Sequence, residues 1–491
     1  MNQALLYLSS PERLFVGGAW VEAQDGAGID IISPSDESFV LRVGGAGRAD
    51  VDRAVAAARQ AFDQGPWPRM TGAERAAVLR RIGERMAARS REFASAFSLQ
   101  VGMPFTQTLA GAAGARGYFD YFADLAETGF EEVRPAPGDT ACVVVREPVG
   151  VTAAVVPWNA PLATLLLKVA PALAAGCTVI AKPSTETPLE AMLLAECAVE
   201  AGLPEGVLSV LPADREVSDY LIHRPEVDKV SFTGSTAAGR HIAAVCAERM
   251  ARFTMELGGK SAAIILDDAK IETVVAGIMP NLVGLAGQQC AAFSRIVVSR
   301  RRRDEVVEAL AQALKAVKVG DAFDADTQMG PLVSKRQLER VCGYIAAGAD
   351  AGARLVTGGG RPAHLPKGWF VEPTLFTDVS NSMTIAREEI FGPVGVVLTY
   401  DTEEEAVAIA NDNPYGLSGG VFTEDLEHAY ALARRIRTGN IGQNGRVISY
   451  RLPYGGFKLS GVGREGGPEG LEAFTEVKTV FLPQPPAHLR G

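Results

Sequence analysis

The sequence predicts an α/β protein built on parallel sheets covered by helices on both faces, and three observations carry that prediction. Short β-branched runs alternate with apolar-periodic helical runs at strand–helix–strand spacing over residues 150–257. The same alternation recurs over residues 261–439. Four of the predicted strands end in turns rich in glycine, proline, serine or threonine, which is where such sheets place their ligand sites.

The elements follow in chain order. Residues 11–50 alternate short apolar runs with turn signals at Gly17-Gly18 and Ser33-Pro34, as small strands do. Residues 50–126 turn helical, with alanine-rich periodic segments at 51–62 and 73–88. Residues 140–146 read as an extended strand, bounded by Pro137-Gly138 and Pro148, and its place between helical regions predicts an excursion from the main sheet. The first parallel sheet is expected to take strands at 151–156, 178–181, 207–211, 229–232 and 253–256. Helices are expected at 162–175, 188–201, 218–222 and 237–249. The second stretch is expected to contribute strands at 262–266, 295–298, 394–400 and 419–423. Glycine-rich loops are expected over 439–468, and a last strand at 475–482. With no internal repeat and no low-complexity linker, the domains are expected to share an extensive interface.

Length and composition bound the function. A chain of 491 residues exceeds one ordinary core and predicts two or three domains. A net charge of −10, with no basic run longer than Arg300-Arg301-Arg302-Arg303, argues against nucleic acid or an anionic membrane as partner. The cysteines at 142, 177, 197, 246, 290 and 342 form no CxxC pair, and the histidines are scattered, so neither a metal site nor a disulfide framework is expected. Residues 1–7 lack a basic flank and a long apolar core, so no signal peptide is read and a cytoplasmic location is expected. The apolar run 161–181 is broken by Lys168, Pro171, Gly176 and Cys177, which favours a buried helix followed by a strand over a membrane span.

Chemistry-bearing residues gather at the predicted carboxyl ends of strands. They are Pro157-Trp158-Asn159-Ala160-Pro161, Lys182-Pro183-Ser184-Thr185-Glu186, Thr233-Gly234-Ser235-Thr236 and Glu256-Leu257-Gly258-Gly259-Lys260. Gly234-Ser235-Thr236, opening a helix straight after a strand, offers backbone N–H groups to a pyrophosphate, or is a purely structural turn. Lys182 reads either as a group reaching a ribose hydroxyl or phosphate, or as a surface lysine.

Cys290 sits between an apolar helical segment and the predicted strand at 295–298, flanked by Gln289 and Ala291. Small neighbours leave room for a substrate, and nearby N–H groups are expected to bias the sulfur towards thiolate. From the residues alone, a small buried apolar side chain is the favoured reading, because spacing gives no sign of reactivity.

Eight motifs decide between these readings. Pro157-Trp158-Asn159, Lys182-Pro183-Ser184, Phe232-Thr233-Gly234-Ser235-Thr236, Glu256-Leu257-Gly258-Gly259-Lys260 and Gly287-Gln288-x-Cys290 occur in order. Glu389-Ile390-Phe391-Gly392-Pro393, Asn413-Pro414-Tyr415-Gly416-Leu417 and Gly455-Gly456-Phe457-Lys458-x-Ser460-Gly461-x-Gly463-Arg464-Glu465 complete the series. Together the sequence resembles the aldehyde dehydrogenase superfamily from about residue 14 to 482.

The resemblance implies a Rossmann-like parallel-sheet cofactor domain (1–129 and 149–258), an α/β catalytic domain (259–468) and a small β oligomerisation arm (130–148 and 469–491). It implies the NAD(P)-dependent oxidation of an aldehyde to a carboxylic acid. Cys290 would attack the aldehyde to give a thiohemiacetal, whose oxyanion the Asn159 amide and the Cys290 N–H would hold. Hydride loss gives a thioester, which Glu256 hydrolyses by activating water. A carboxylate beside a Gly-Gly turn is expected to have room to swing. Lys168 and Glu465 match supporting catalytic positions. Along the cofactor the resemblance sets Pro157, Trp158, Lys182, Ser184 and Thr185. It also sets Gly234, Ser235, Leu257 and Gly258 there, with Glu389 on the nicotinamide ribose and Phe391 beside the ring.

Departures from the family pattern set the finer expectations. Thr185 stands where many relatives carry a ribose-binding glutamate, and Glu186 follows one place later. NAD is expected, with NADP admissible. Ala160, Leu167, Gln289, Ala291, Ile448 and Tyr454 are expected to wall the substrate pocket, and the expected substrate is an apolar or aromatic aldehyde of moderate size. Arg446 and Arg451 read as exposed loop arginines, with attraction of a carboxylate-bearing aldehyde as the other reading. The alternative function is a coenzyme A-acylating or semialdehyde dehydrogenase of the same fold, and Glu256 speaks against acylation, which needs no water-activating base. A binding protein that kept the fold without turnover is disfavoured by the joint presence of Cys290, Asn159 and Glu256. The β-branched ribbon at 142–146 and 475–480 needs covering, which predicts a homodimer or homotetramer.

Overall fold

The computed structural model describes residues 7–24, 28–137 and 140–490. Residues 1–6, on which the absence of a signal peptide was read, and Gly138, beside the arm strand, lie outside the described residues.

Two sheets organise the chain. The first runs in the order Ala19–Val21, Leu14–Val16, Leu208–Val210, Thr178–Lys182, Val151–Val155, Lys229–Thr233, Arg252–Glu256, Gly461–Val462. Its five central strands are parallel and its flanking strands antiparallel. From Val151–Val155 the chain steps outward twice, then crosses back to place Lys229–Thr233 on the other side. The strand order therefore reverses beside Val151–Val155, which opens a crevice at the carboxyl ends there.

Helices cover this sheet as the periodicity predicts. The apolar run is indeed a helix, Pro161–Ala175, followed by the strand Thr178–Lys182. Proline occupies the first helical turn, where its missing N–H costs nothing, and Gly176 ends the helix at φ 99°. Nearly every residue of this helix is buried, so it is a core element. No helix of the described residues is long and apolar enough to cross a membrane. The helix expected at 218–222 starts earlier, at Arg215, because Asp214 caps it by accepting from the Val217 N–H.

The second sheet runs Arg354–Thr357, Thr374–Thr377, Val394–Tyr400, Arg295–Ser299, Ala262–Ile265, Ser418–Phe422, Asn440–Gln443. Three of these strands escape a reading by periodicity. Thr374–Thr377 is four residues long and wholly buried, so it has no alternation to detect. Arg354–Thr357 is an antiparallel edge strand with a register shift. Asn440–Gln443 lies inside the stretch expected to be loop, and its ladder with Ser418–Val421 makes it a strand.

The glycine-rich stretch differs from expectation in a second way. Gly461–Val462 pairs antiparallel with Met255 and Glu256, so a segment expected in the catalytic domain is an edge strand of the first sheet. That pairing brings 454–465 against the strand bearing Glu256. A separate three-stranded sheet, Glu131–Pro135, Ala141–Pro148 and Thr475–Leu482, stands apart from both.

Candidate active site

The helix Ile271–Val283 ends one turn before the thiol segment. Leu285, Ala286 and Gly287 then take positive φ values of 52°, 50° and 69°, which reverses the chain and delivers Gln288-Gln289-Cys290. Position 287 requires glycine, since a Cβ there would lie 2.2 Å from the Gly392 carbonyl oxygen. Gln288 is fully buried and pins the reversal, donating to the Leu285 carbonyl at 2.8 Å and accepting from the Val333 N–H at 3.0 Å.

Three chain-distant groups meet at this reversal. The buried Asn159 amide donates to the Gln288 carbonyl at 2.9 Å, which leaves its second N–H for another acceptor. Gly259, three residues beyond Glu256, packs onto Cys290 so closely that a Cβ would lie 2.2 Å from the Cys290 carbonyl oxygen. The Tyr454 hydroxyl stands 3.6 Å from the Cys290 sulfur. The next residue, Gly455, lies against Glu256, where a Cβ would come within 2.7 Å of a carboxylate oxygen.

The glycines after Glu256 therefore act differently from expectation. Gly258 and Gly259 are there for close approach to the Glu389 carboxylate and the Cys290 backbone, and the space beside Glu256 is supplied by Gly455. Both Glu256 carboxylate oxygens are buried with no hydrogen-bond partner among the described residues. Burial, reinforced by the charge of Glu465, raises the Glu256 carboxyl well above the ordinary carboxylate range.

The expected thiolate bias is not what this fold provides. Burial pushes the Cys290 thiol up to about 11, and the negative charges of Glu389 and Glu256 push the same way. The physical reason is that burial withholds from the thiolate the solvation that a charged sulfur needs. The Tyr454 hydroxyl and the Arg446 charge oppose the rise. Arg446 donates to the Gln289 side-chain oxygen, whose amide nitrogen donates to the Pro280 and Gly284 carbonyls at 3.0 and 2.7 Å. Gln289 is thus a bracket holding an arginine near the thiol, a role its pocket-wall reading missed.

Beneath Glu256 lies a buried ion pair. Lys168, from the helix Pro161–Ala175, donates to Glu465 and, at 2.7 Å, to the Thr233 hydroxyl. Ser231 donates to the same Glu465 oxygen at 3.3 Å. Glu465 is fixed by paired backbone bonds with Tyr454 of 2.7 and 2.8 Å, so the pair and the tyrosine beside the thiol share one scaffold.

The groups expected along a dinucleotide divide between two ends of the crevice. Lys182, Ser184 and Thr185 line a cleft of about 320 Å³ at the carboxyl ends of the first sheet, together with Glu186 and Arg336. Burial draws Lys182 down to about 8. Ser235 caps the helix Thr236–Glu248 by accepting from the Ala238 N–H at 3.3 Å, while the Gly234 N–H donates to the Glu256 carbonyl. Leu257 is buried and donates its N–H to the Ser460 carbonyl. At the thiol end, Glu389 accepts from the Gly259 N–H at 3.0 Å and burial lifts it to about 7. The Phe391 ring meets Trp158, next to Pro157, edge-on at 5.2 Å. A lysine and hydroxyls in one cleft, and a carboxylate and two aromatic rings near the thiol, are donor sets that suit the two ends of an adenine dinucleotide.

The expected substrate walls are less uniform. Tyr454 faces the sulfur, Ala160 and Leu167 are half-buried at and within the helix Pro161–Ala175, and Ile448 is exposed. Ala291 is only 1% exposed, so it offers little surface to a pocket. Arg451 stacks over the Tyr121 and Tyr450 rings, away from the Arg446 bracket. Glu186, Arg336 and the Arg446–Gln289 contact were missed as site features; only the offset of Glu186 by one place from the expected position hinted at any of them.

Comparison with known proteins gives one answer. The profile of the Aldehyde dehydrogenase family matches residues 20–480. The chain is 46% identical to a geranial dehydrogenase of Castellaniella defragrans over 96% of its own length and 98% of the relative's. A crystal structure of a Mycobacterium tuberculosis aldehyde dehydrogenase complexed with NAD+ is 46% identical, with a TM-score of 0.94 over 97% of this chain and 99% of the other. A Staphylococcus aureus betaine aldehyde dehydrogenase in complex with NAD+ is 37% identical, with a TM-score of 0.96 over 99% and 97%.

Proposed function

The chain belongs to the aldehyde dehydrogenase family and is an oxidoreductase that takes an aldehyde to its acid with NAD, and we propose that it does so on Cys290, with an apolar aldehyde as substrate. The observation that carries the assignment is the meeting of Cys290, Asn159 and Glu256 around the reversal at 285–290, with Tyr454 3.6 Å from the sulfur. The likeness to a geranial dehydrogenase supports an apolar substrate.

Each chemical step falls to a named group. Once its proton has left to solvent, the Cys290 sulfur attacks the carbonyl carbon, forming a C–S bond while the carbonyl oxygen takes up the electron pair. That oxyanion is held by the Cys290 N–H and the Asn159 N–H not spent on Gln288. Removing one such donor costs about 100- to 1000-fold in kcat. When bound, the nicotinamide accepts the hydride leaving the thiohemiacetal carbon, which makes the acyl group a thioester. Trp158, Phe391 and Glu389 would hold the nicotinamide end, and Lys182, Ser184 and Thr185 the adenosine end.

Glu256 then takes a proton from the water that attacks the thioester, and the C–S bond breaks to return the sulfur. A carboxylate without a hydrogen-bond partner moves at little cost, and Gly455 gives it the room. The buried Lys168–Glu465 pair acts on Glu256 through charge, Glu465 raising its carboxyl and Lys168 lowering it, after burial as the larger cause. The exposed face of the three-stranded sheet supports a homo-oligomer.

A panel of aliphatic and aromatic aldehydes, assayed separately with NAD and NADP by absorbance of the reduced cofactor, tests the reading. Intact-mass measurement of Glu256→Gln after one turnover should find the acyl group on Cys290. Turnover on no aldehyde, or an acyl group at another residue, would sink it.

A further inference from the structure

One buried cation beside the site takes no part in the proposed steps. Lys260 ends the turn that begins with Glu256, is 2% exposed, and its Nζ has no hydrogen-bond partner among the described residues. Two cavities of about 10 Å³ border it, each of the size that holds one water. One lies between the thiol reversal and the Glu389 segment, lined by Gly259, Lys260, Gln289 and Glu389. The other is lined by Ser261, whose hydroxyl is also unpartnered among the described residues, and by Arg295 and Tyr415. A buried ammonium with no acceptor for its protons is costly, so a lysine in this place needs a charge to answer.

Glu389 shares the first cavity with Lys260 and supplies that charge. One of its oxygens accepts from the Gly259 N–H at 3.0 Å, and the other lies so close to Gly258 that a Cβ there would come within 2.5 Å. Burial, then the Arg295 charge, draws Lys260 down to about 7, against the pull of Glu389 and Glu388. Burial lifts Glu389 to about 7, against the Gly259 N–H, Arg340 and Lys260. The other charges nearby have partners of their own. Arg295 donates to the Lys260, Ile409 and Ala410 carbonyls at 2.9, 2.8 and 2.9 Å, and Glu388 accepts from the Tyr344 hydroxyl at 2.7 Å. Arg340, on the helix Lys335–Asp350, donates to the Glu389 carbonyl at 2.6 Å, but it is exposed and water screens its charge. Tyr415 and the Cys290 thiol face the Glu389 charge as well, and both are raised by burial and further by it.

We propose that Lys260 is a positioning residue for the cofactor: its buried ammonium is the counter-charge that keeps Glu389 a carboxylate, able to accept from both hydroxyls of the nicotinamide ribose. This rests on the reading that Glu389 grips that ribose. A protonated Glu389 would spend one oxygen as a donor and lose half of its grip. The same short turn thus carries the base, Glu256, and the cation that sets the charge of the residue holding the nicotinamide end.

Fluorescence titration of the full-length protein with NADH, no aldehyde present, from pH 6 to 9 tests this without turnover. Wild-type affinity should rise with pH as Glu389 ionises. Without the ammonium, Glu389 ionises at higher pH, so Lys260→Met should bind NADH about tenfold more weakly at pH 7, the effect of about one pH unit, and match the wild type at pH 9. Glu389→Gln should remove the rise. The double variant should bind no more weakly than Glu389→Gln, since the lysine acts only through the carboxylate. Circular dichroism and melting temperature confirm that each variant is folded, and Lys260→Gln takes the place of Lys260→Met if the latter is not. A rise left where it was by loss of Lys260, a loss equal at pH 7 and pH 9, or losses that add in the double variant would overturn the proposal. A rise that survives in full in Glu389→Gln would instead remove Glu389 from the ribose, and with it the reading on which the proposal rests.

Discussion

The Tyr454 hydroxyl lies 3.6 Å from the Cys290 sulfur, and it is the one side-chain hydrogen bond that favours the thiolate in a site whose burial opposes it. Tyr454→Phe should therefore raise the thiol further. Alkylation by iodoacetamide at pH 8 should slow about 5- to 10-fold, the value of one hydrogen bond of about 1 kcal/mol or slightly more. An unaltered alkylation profile would show that the tyrosine only fills space.

The two catalytic variants should fail at different steps. Cys290→Ala should abolish hydride transfer altogether. Glu256→Gln should keep a pre-steady-state burst of reduced cofactor and slow the steady state by about 100-fold or more, as expected for loss of a general base. A burst with Cys290→Ala would mean that another group is the nucleophile.

Glu256 is raised by burial first and by Glu465 second, so thioester hydrolysis should increase as pH rises through its ionisation. Glu465→Gln removes a negative neighbour, and the acid limb of the hydrolysis profile should move to lower pH. Stopped-flow rates of acid release across pH 5 to 9 report the limb directly. A shift to higher pH, or none, would separate Glu465 from Glu256.

The Lys168–Glu465 pair is buried on both sides, and taking away one partner leaves an uncompensated charge. Lys168→Met should cost about 3–5 kcal/mol of stability, and Lys168→Met combined with Glu465→Leu should recover part of it. Chemical denaturation of the two variants measures the difference. Equal losses would show that Glu465 left without the lysine carries no penalty, being held by Ser231.

Glu190 gives a test of stability against pH. Fully buried, with one oxygen bonded by Gln100 and the other without a partner among the described residues, it is lifted by burial to about 8. A carboxyl raised on folding favours the folded state below its unfolded value near 4.5, and that benefit is lost as pH rises towards 8. Glu190→Gln carries no such dependence. Its melting temperature relative to the wild type should climb from pH 5 to pH 9, and a constant difference would show Glu190 to be ionised throughout.

The three-stranded sheet exposes Val133, Val477 and Phe481, at 39%, 59% and 67%. Covering these side chains favours association at about 25 cal/mol per Å² of apolar surface. Size-exclusion chromatography with light scattering should return a dimer or tetramer, and Phe481→Asp should shift it towards monomer. A monomeric wild type would remove the reason for the arm.

The parallel sheets and the helix at 161–175 were legible in the chain because local patterns encode them, whereas Cys290, Asn159 and Glu256 were singled out by the resemblance to a known family. A strand reads from β-branched runs, and a motif keeps its reactive residue among small neighbours that a linear sequence displays. Four-residue buried strands such as Thr374–Thr377 carry no such pattern, and Asn440–Gln443 is a strand only because Ser418–Val421 lies beside it.

What tertiary structure alone decided are the contacts between distant segments: Tyr454 with Cys290 across 164 positions, Arg446 with Gln289 across 157, Arg336 with Glu186 across 150. It also reversed the thiolate expectation. The charge state of a buried sulfur depends on the dielectric and charges around it, and those are supplied by groups that the chain brings near only after it has folded.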